Sequence, residues 1–312
     1  MSELRVFLLG GVRVLLGPSG AEAALPRSSE ALLAYLMLSR NRRHPRDSLC
    51  ELFWPELPPG RARGALSTTL WRLRRALEGS APRGTYLSTS PTGEVGFNEG
   101  AEYWLDVEVL ESHVAATLRE RGRGLDAGAA ARLATVLDLY TGDLMEGVYD
   151  EWVEAERQRV RVLYLDGLSQ LLDHYQRSGA LDEAMAWGQR ILHLEPLSEE
   201  VHRRMMELYA ASGRRPLALR QYEACRKVLA SELGIGPMDE TVAVYERLVR
   251  GNGCAAEEQS ATGDAAERAE LDSIRERLHR ARESVESALD ALEHVEARRA
   301  ERAGGERSRT TR

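Results

Sequence analysis

The sequence predicts a mainly α-helical protein in which an N-terminal winged helix-turn-helix with β-hairpins precedes an all-α domain of tetratricopeptide-like repeats and a C-terminal helical tail. Three observations predict this fold. Helical patterns in residues 1–100 lie between two β-hairpin patterns. Residues 101–250 show one helical pattern after another, with a 34-residue period. A further helical pattern follows in residues 267–303.

The chain begins with a predicted β-hairpin, because two short apolar runs flank Gly10 and Gly11 in LRVFLLGGVRVLL and glycine turns a chain tightly between strands. We expect a third strand near residues 23–25. Ser29 is a suitable N-cap for the first helix. Apolar residues recur on one face of that helix at Leu32, Leu33, Leu36 and Met37.

Two more helices and a second hairpin are predicted before residue 100. The second helix runs from about residue 46 to residue 54, where Pro55 stops it. The third helix covers residues 61–77. The stretch GTYLSTSPTGEVGFN then alternates side chains on both sides of Pro91–Gly93, as expected of a hairpin.

The third helix is the candidate DNA-recognition element. At 100° per residue, four leucines fall within about 60° of one another and predict a buried face: Leu66, Leu70, Leu73 and Leu77. The opposite face is rich in cations and hydroxyls, with Trp71 at its edge, and such side chains make phosphate and base-edge contacts. We select as candidate DNA-binding residues Arg61, Arg63, Thr68, Thr69, Arg72, Arg74 and Arg75. The alternative is a solvated arginine-rich face, since the chain prefers Arg throughout and contains a single Lys.

Charge is distributed unevenly along the chain. Residues 1–100 carry 13 basic and 9 acidic side chains, whereas residues 101–250 carry 18 basic and 26 acidic ones. The net charge of −7 therefore hides a basic N-terminal part on an acidic remainder. This asymmetry predicts nucleic-acid binding at one end only.

The period of residues 101–250 is that of tetratricopeptide repeats. Three residue types recur after 34 positions, as Tyr175 and Tyr209, Gly179 and Gly213, and Ala184 and Ala218. Gly213 is expected to allow a close helix approach or a positive φ, so that a bulky residue there would unfold the stack. Two repeats cannot bury their faces alone, and we expect flanking helices to complete them.

The C-terminal region is predicted to contain a linker at residues 251–266, an amphipathic helix at residues 267–303 and a disordered tail at residues 304–312. Apolar or small residues alternate three and four apart in this helix at Leu271, Ile274, Leu278, Ala281, Val285, Ala288, Leu292 and Val295. This pattern favours a coiled coil that makes a homodimer, and the alternative is a single helix packed on the helical domain.

Patterns typical of catalysis and cofactor binding are missing from the sequence. A P-loop needs a Lys that meets phosphate, and Lys227, the one lysine, lies in a predicted helix. The seven His and three Cys residues have no zinc-ligand spacing. We therefore expect no enzyme activity, no cofactor and no metal. Because no apolar run could cross a bilayer and no targeting segment is apparent, we expect no membrane association and a cytoplasmic protein.

Several motifs together resemble the Streptomyces antibiotic regulatory protein family. They are LFWPELPP, RARGALSTTLWRLRRAL, YTGDLMEGVYDEWVEAERQRV and EPLSEEVHRRMMELYAASGRRPLALRQYEACRKVLASELGIGP, and the resemblance covers roughly residues 4–250. It implies an OmpR-like winged helix, residues 1–100, joined to a bacterial transcriptional activator domain, residues 101–250. Arg72 and Arg74 match basic positions that touch DNA in OmpR-like proteins, whereas Trp71 departs from a position that is often polar or basic.

The resemblance implies a transcription activator that binds direct repeats in promoter DNA and contacts RNA polymerase or its sigma factor. The alternative hypothesis is a tetratricopeptide-type scaffold whose N-terminal domain does not read DNA. The outer face of the third helix distinguishes the two, because a scaffold does not need Arg61, Arg72 and Arg75 beside an exposed Thr68.

Overall fold

The computed structural model describes residues 4–17, 20–79, 82, 84–98, 100–119 and 124–250. Residues 1–245 form one compact unit, and the described residues after Tyr245 belong to a second. The predicted linker, amphipathic helix and disordered tail of residues 251–312 lie outside the described residues, and so does the predicted coiled coil. No helix in the described part of the chain is long and apolar enough to cross a membrane.

The head, residues 4–105, has the predicted order of strands and helices. Its elements are β1 (Leu4–Phe7), β2 (Arg13–Leu16), β3 (Ala21–Glu22), α1 (Arg27–Leu38), α2 (Arg46–Phe53), α3 (Pro59–Leu77), β4 (Leu87–Thr89), β5 (Val95–Phe97) and β6 (Tyr103–Leu105). Three helices between an N-terminal sheet and a terminal hairpin confirm the winged helix-turn-helix.

Two sheets enclose the head helices. The first has the strand order β3-β2-β1-β6, and the second is the β4–β5 hairpin. Strands β1 and β2 are antiparallel, as predicted, whereas β6 is parallel to β1, with Val6 opposite Leu105. The third strand was predicted near residues 23–25 and lies instead at Ala21–Glu22, where Glu22 pairs with Leu15.

Each head helix begins immediately after a proline. Pro26, Pro45 and Pro58 are the N-caps of α1, α2 and α3, and the carbonyl of each accepts a hydrogen bond from the first helical turn. A proline has no N–H to satisfy, and its fixed φ suits the entry to a helix. The prediction of Ser29 as the N-cap of α1 is wrong, because the helix begins at Arg27 and Ser29 is fully buried inside it.

In the described residues of the body, 106–119 and 124–245, helices alternate with connecting loops. Its helices are α4 (Asp106–Arg119), α5 (Ala127–Leu137), α6 (Glu151–Ser178), α7 (Leu181–Leu194), α8 (Glu199–Ala211), α9 (Arg215–Glu232) and the start of α10 (Asp239–Arg250). Helix α6 packs against α7, α7 against α8, and α8 against α9. This succession of antiparallel neighbours confirms the tetratricopeptide-like arrangement.

The 34-residue period reproduces the same helix terminus twice. Gly179 after α6 and Gly213 after α8 both have a φ of 76°. The N–H after each glycine donates to a tyrosine carbonyl five residues earlier, that of Tyr175 at 3.0 Å and that of Tyr209 at 2.8 Å. Both ends are therefore Schellman-type caps, in which a left-handed glycine satisfies a helical carbonyl.

The structure separates the two roles that were open for Gly213. A Cβ at Gly213 would meet nothing within 4 Å, so its positive φ is the constraint and close helix approach is not. The predicted positive φ is confirmed, and the expectation that a bulky residue there would unfold the stack stays a prediction, since any side chain at this φ is strained. Close approach occurs instead at Gly167, where a Cβ would lie 2.7 Å from a methyl of Leu137, and at Gly188 beside Met205.

A buried carboxylate joins the head to the body. Asp106, 1% exposed, is the first residue of α4, and one carboxylate oxygen accepts the N–H groups of Leu8 and Leu9, both at 2.8 Å. The other oxygen accepts the N–H of Val107 at 2.7 Å. One side chain thus satisfies backbone donors that β1 and α4 would otherwise leave buried and unpaired.

The loop between α5 and α6 holds the same segment from its other side. The Met145 N–H donates to the Leu8 carbonyl at 2.8 Å, and the Gly10 N–H donates to the Asp143 carbonyl at 3.0 Å. The Thr141 hydroxyl donates to the carbonyl of Leu9 at 2.7 Å. The first hairpin is therefore fixed between α4 and this loop.

We predict that Asp106→Ala lowers the free energy of unfolding by about 2 to 4 kcal/mol, because it leaves buried N–H groups of Leu8 and Leu9 unsatisfied. Urea denaturation of the full chain measures the change. Asp138→Ala is the control, since it removes an aspartate whose side chain is 69% exposed, and it should change the stability by no more than about 0.5 kcal/mol. Equal midpoints for the two variants would contradict the role of Asp106.

Candidate nucleic-acid interface

The buried face of α3 is the predicted one. Leu66, Leu70, Leu73 and Leu77 are each at most 5% exposed. Helix α3 packs on both α1 and α2. Because these leucines fix the rotation of the helix about its axis, they also fix which side chains face outward.

The outer face of α3 carries most of the predicted cations. Arg61, Thr68, Arg72 and Arg75 are all exposed. Within the described part of the chain, the guanidinium groups of Arg61 and Arg72 have no hydrogen-bond or ion-pair partner, and the Arg75 guanidinium lies over the ring of Trp71 at 5.3 Å. These arginines are thus available to anionic groups outside the chain.

The two flanking arginines are engaged within the head. The Arg63 guanidinium forms an ion pair with Asp47 of α2 at 2.9 Å. Arg74 donates to the Thr89 hydroxyl of β4 at 2.7 Å. Arg63 therefore bridges α3 to α2, and Arg74 bridges α3 to the hairpin.

Thr69 does not belong to the outer face, and its selection is corrected here. Its side chain is on the buried side of α3, with 3% of the residue exposed. At 100° per residue it lies about 60° from Leu66, which places it against the leucine face. A buried hydroxyl there cannot reach a partner outside the chain.

The β4–β5 hairpin is anchored to α3 by a buried glutamate. Glu78, which follows the last residue of α3, accepts the N–H groups of Gly84, Tyr86 and Leu87 at 3.1–3.2 Å. It is 6% exposed. These bonds fix the start of the hairpin relative to the C-terminal end of the helix.

A backbone pair with His44 holds the other strand of the hairpin. The N–H groups of His44 and Val95 each donate to the carbonyl of the other residue, at 2.8 and 2.9 Å. Burial lowers the pKa of His44, and nearby Arg42 lowers it further. The imidazole is therefore kept neutral, with Nε2 2.8 Å from the Ser39 hydroxyl, and adds no charge to the surface.

The tip of the hairpin is polar and uncharged except for one carboxylate. The Ser90 and Thr92 hydroxyls are 2.7 Å apart, and the backbone N–H of Glu94 donates to the Ser90 hydroxyl. Residues 84–98 contain no Lys or Arg. The positive charge of the candidate interface therefore lies on the helices, and the hairpin offers hydroxyl groups.

Arg46 is a member of this surface that the sequence pattern of α3 does not identify. It lies at the start of α2 and donates to the Ser67 hydroxyl of α3 at 2.8 Å. Together with Trp71, Arg74 and Arg75 it lines a concavity beside α3. The periodicity of α3 carried no signal for Arg46, because the residue belongs to another helix.

The described residues do not suggest a metal or redox site. They contain no group of three or more His, Cys, Asp or Glu side chains that could hold a metal ion. Cys50 and Cys225 are buried free thiols. Burial raises the pKa of Cys50 and raises that of Cys225 to about 11, so both are neutral packing residues.

Comparison with known proteins places the body in a described family. Residues 105–249 match the bacterial transcriptional activator domain. The regulatory protein AfsR of Streptomyces coelicolor is 30% identical over 264 residues, which are 84% of this chain and 26% of AfsR. The transcriptional regulatory protein MoaR1 of Mycobacterium tuberculosis is 26% identical over 70% of this chain and 71% of its own length. The chain thus spans about a quarter of the length of AfsR.

A solved structure shares the fold. Mycobacterium tuberculosis EmbR, in complex with low affinity phosphopeptide, aligns with a TM-score of 0.67 at 23% identity, over 87% of this chain and 72% of EmbR. The chain thus shares the winged helix and the helical body with EmbR and is similar in sequence to proteins named as transcriptional regulators. Residues 105–249 belong to the bacterial transcriptional activator domain family, and the chain as a whole is similar to the AfsR and MoaR1 regulators.

Proposed function

We propose that the head binds double-stranded DNA, with α3 in the major groove and the β4–β5 hairpin at the neighbouring minor groove. The observation that carries this proposal is the outer face of α3, where Arg61, Arg72 and Arg75 are exposed beside Thr68. An α-helix fits the major groove, and arginines contact both phosphates and guanine edges there. Arg63 and Arg74 act by holding the helix and the hairpin in place.

Gly64 supports the same assignment. It lies in the interior of α3, where glycine costs roughly 1 kcal/mol relative to alanine. A Cβ at Gly64 would meet nothing within 4 Å, so packing inside the protein does not require a glycine. Because Gly64 is exposed one turn before Thr68, a close approach by a DNA backbone accounts for the missing side chain.

The body is proposed to contact protein, as its acidic composition would repel DNA. The family resemblance implies that this partner is RNA polymerase or its sigma factor. It also implies that the head binds direct repeats in a promoter. A local feature supports a protein contact: in the turn between α9 and α10, Leu233, Ile235 and Met238 are 53%, 53% and 60% exposed. Large apolar side chains clustered on a surface mark interaction sites.

The alternative, a scaffold whose head does not read DNA, explains the body equally well. It leaves unexplained why the exposed arginines of α3 share a face with Gly64. Homodimerisation through residues 267–303 and a cytoplasmic location stay predictions, and the proposed activity needs no enzyme chemistry and no cofactor.

The test of DNA binding is the salt dependence of affinity for a promoter duplex. We expect Arg72→Ala to cost on the order of 1 to 3 kcal/mol if Arg72 meets a base edge, and to flatten the salt slope if it meets phosphate. Arg132→Ala is the control, because it makes the same charge change at an exposed position of the body. The proposal fails if Arg72→Ala and the parent bind equally at every salt concentration.

Gly64→Ala should change stability and affinity in opposite directions. The alanine should raise the free energy of unfolding by about 0.5 to 1 kcal/mol, since a glycine is removed from an exposed helical position. The same Cβ should weaken DNA binding by crowding the approach of the backbone. Thermal unfolding and a binding titration measure the two effects, and unchanged affinity would exclude close approach at this position.

Replacing Leu233, Ile235 and Met238 together by serine should leave promoter binding intact and reduce transcription from a reporter promoter several-fold, because apolar contact area is lost. Val162→Ser is the control, as Val162 is an exposed apolar residue of α6, 49% exposed. Full reporter activity of the triple variant would show that the α9–α10 turn does not contact the transcription machinery.

A further inference from the structure

Trp71 is a large apolar side chain on a cationic surface. It is 57% exposed, whereas Leu70 and Leu73 beside it in the sequence are 1% and 0% exposed. On the helix it lies one turn after Thr68 and one turn before Arg75, both on the outer face. Trp71 therefore does not serve the core of the head, which the leucines fill.

The residues around Trp71 indicate which kind of partner would bind over its ring. The Arg75 guanidinium lies 5.3 Å from the ring centre, and Arg46, Arg74 and Arg75 line the concavity that includes Trp71. A wholly apolar protein surface would desolvate these cations and offer them no anionic group in return. A polyanion that also presents an apolar group satisfies both the arginines and the indole.

The major groove of DNA presents one such apolar group, the 5-methyl group of thymine. The other groove edges of the bases are hydrogen-bond donors and acceptors, which leave an indole face without a matching contact. An indole between two phosphate- or base-contacting side chains can cover a methyl group while its neighbours hold the helix in the groove. The Arg75 guanidinium lies over the ring in a cation–π arrangement, so the cation and the indole are presented side by side.

We propose that Trp71 is a specificity-determining residue that contacts the 5-methyl group of thymine in the major groove of the target DNA. The inference rests on the proposed DNA binding by α3 and adds to it the base that this position selects. It predicts that the target sites of the full chain contain a thymine opposite the centre of α3, and that its methyl group contributes to affinity.

The experiment removes the methyl group and nothing else from the base. A duplex is first selected from a randomised pool by the full chain, and each thymine of the selected site is then replaced in turn by deoxyuridine. Burial of one methyl group corresponds to about a four-fold change in affinity. We expect a loss of this size for deoxyuridine at one or two adjacent positions and no loss at the others.

Variants of Trp71 assign the effect to this side chain. Trp71→Ala should bind the thymine and deoxyuridine duplexes with equal, lowered affinity, while Trp71→Phe should keep part of the preference for thymine. Because Trp71 is exposed, both variants should keep the thermal midpoint of the parent, which shows that they fold. Arg132→Ala should behave as the parent with both duplexes.

Three outcomes would overturn the inference. If the parent binds both duplexes equally, the methyl group is not read; if Trp71→Ala keeps the full preference for thymine, another residue reads it. If the single strand of the selected site binds more tightly than the duplex, the ring stacks on an unpaired base instead. A parent chain that selects no sequence and shows no salt-dependent binding would instead refute the proposed DNA binding itself.

Discussion

The carboxylate of Asp106 connects the two halves of the described chain, and the positions of the surrounding elements depend on it. Burial raises the pKa of this carboxyl, and the N–H groups of Leu8 and Leu9 oppose that rise. Leaving such backbone donors unpaired away from water costs about as much as a lost hydrogen bond for each donor. Asp106 follows directly on β6, so the parallel pairing of β1 with β6 and the start of α4 are fixed together. The head is consequently oriented on the body by backbone hydrogen bonds as well as by apolar packing.

The arginines of α3 fall into two groups, those that make contacts within the head and those that are available to a partner. Arg63 and Arg74 hold α2 and the hairpin in place, so their guanidinium groups stabilise the shape of the candidate interface. The side chains of Arg61 and Arg72 project from the opposite side of the helix, and their guanidinium groups have no partner in the described part of the chain. A cationic helix thus contributes to its own positioning with one set of arginines and presents another set to the outside. Exposed surface ion pairs are worth little energetically, and the value of the Arg63–Asp47 pair is mainly geometric.

In the body, the residues that recur after 34 positions have the same structural role in both repeats. The repeated Tyr and Gly form two identical helix ends, one between α6 and α7 and one between α8 and α9. The glycine has a φ of 76° at both ends. The repeated alanines, Ala184 and Ala218, are both fully buried where helices meet. A glycine can serve either purpose, and the structure distinguishes them: Gly213 is required for its backbone conformation, whereas Gly167 is required for the space beside Leu137.

Local features of this protein were predictable from its sequence, whereas contacts between distant segments were not. Helical periodicity identified the leucine face of α3, and the 34-residue repeat identified matched helix ends, because both patterns are set by the geometry of one segment. The parallel pairing of β6 with β1 joins residues about a hundred positions apart and leaves no local signal. The engagement of Arg63 by Asp47 and the position of Arg46 beside Trp71 were hidden for the same reason. Periodicity gives the direction of a side chain from its own helix axis, but what stands opposite that side chain depends on how separate elements pack.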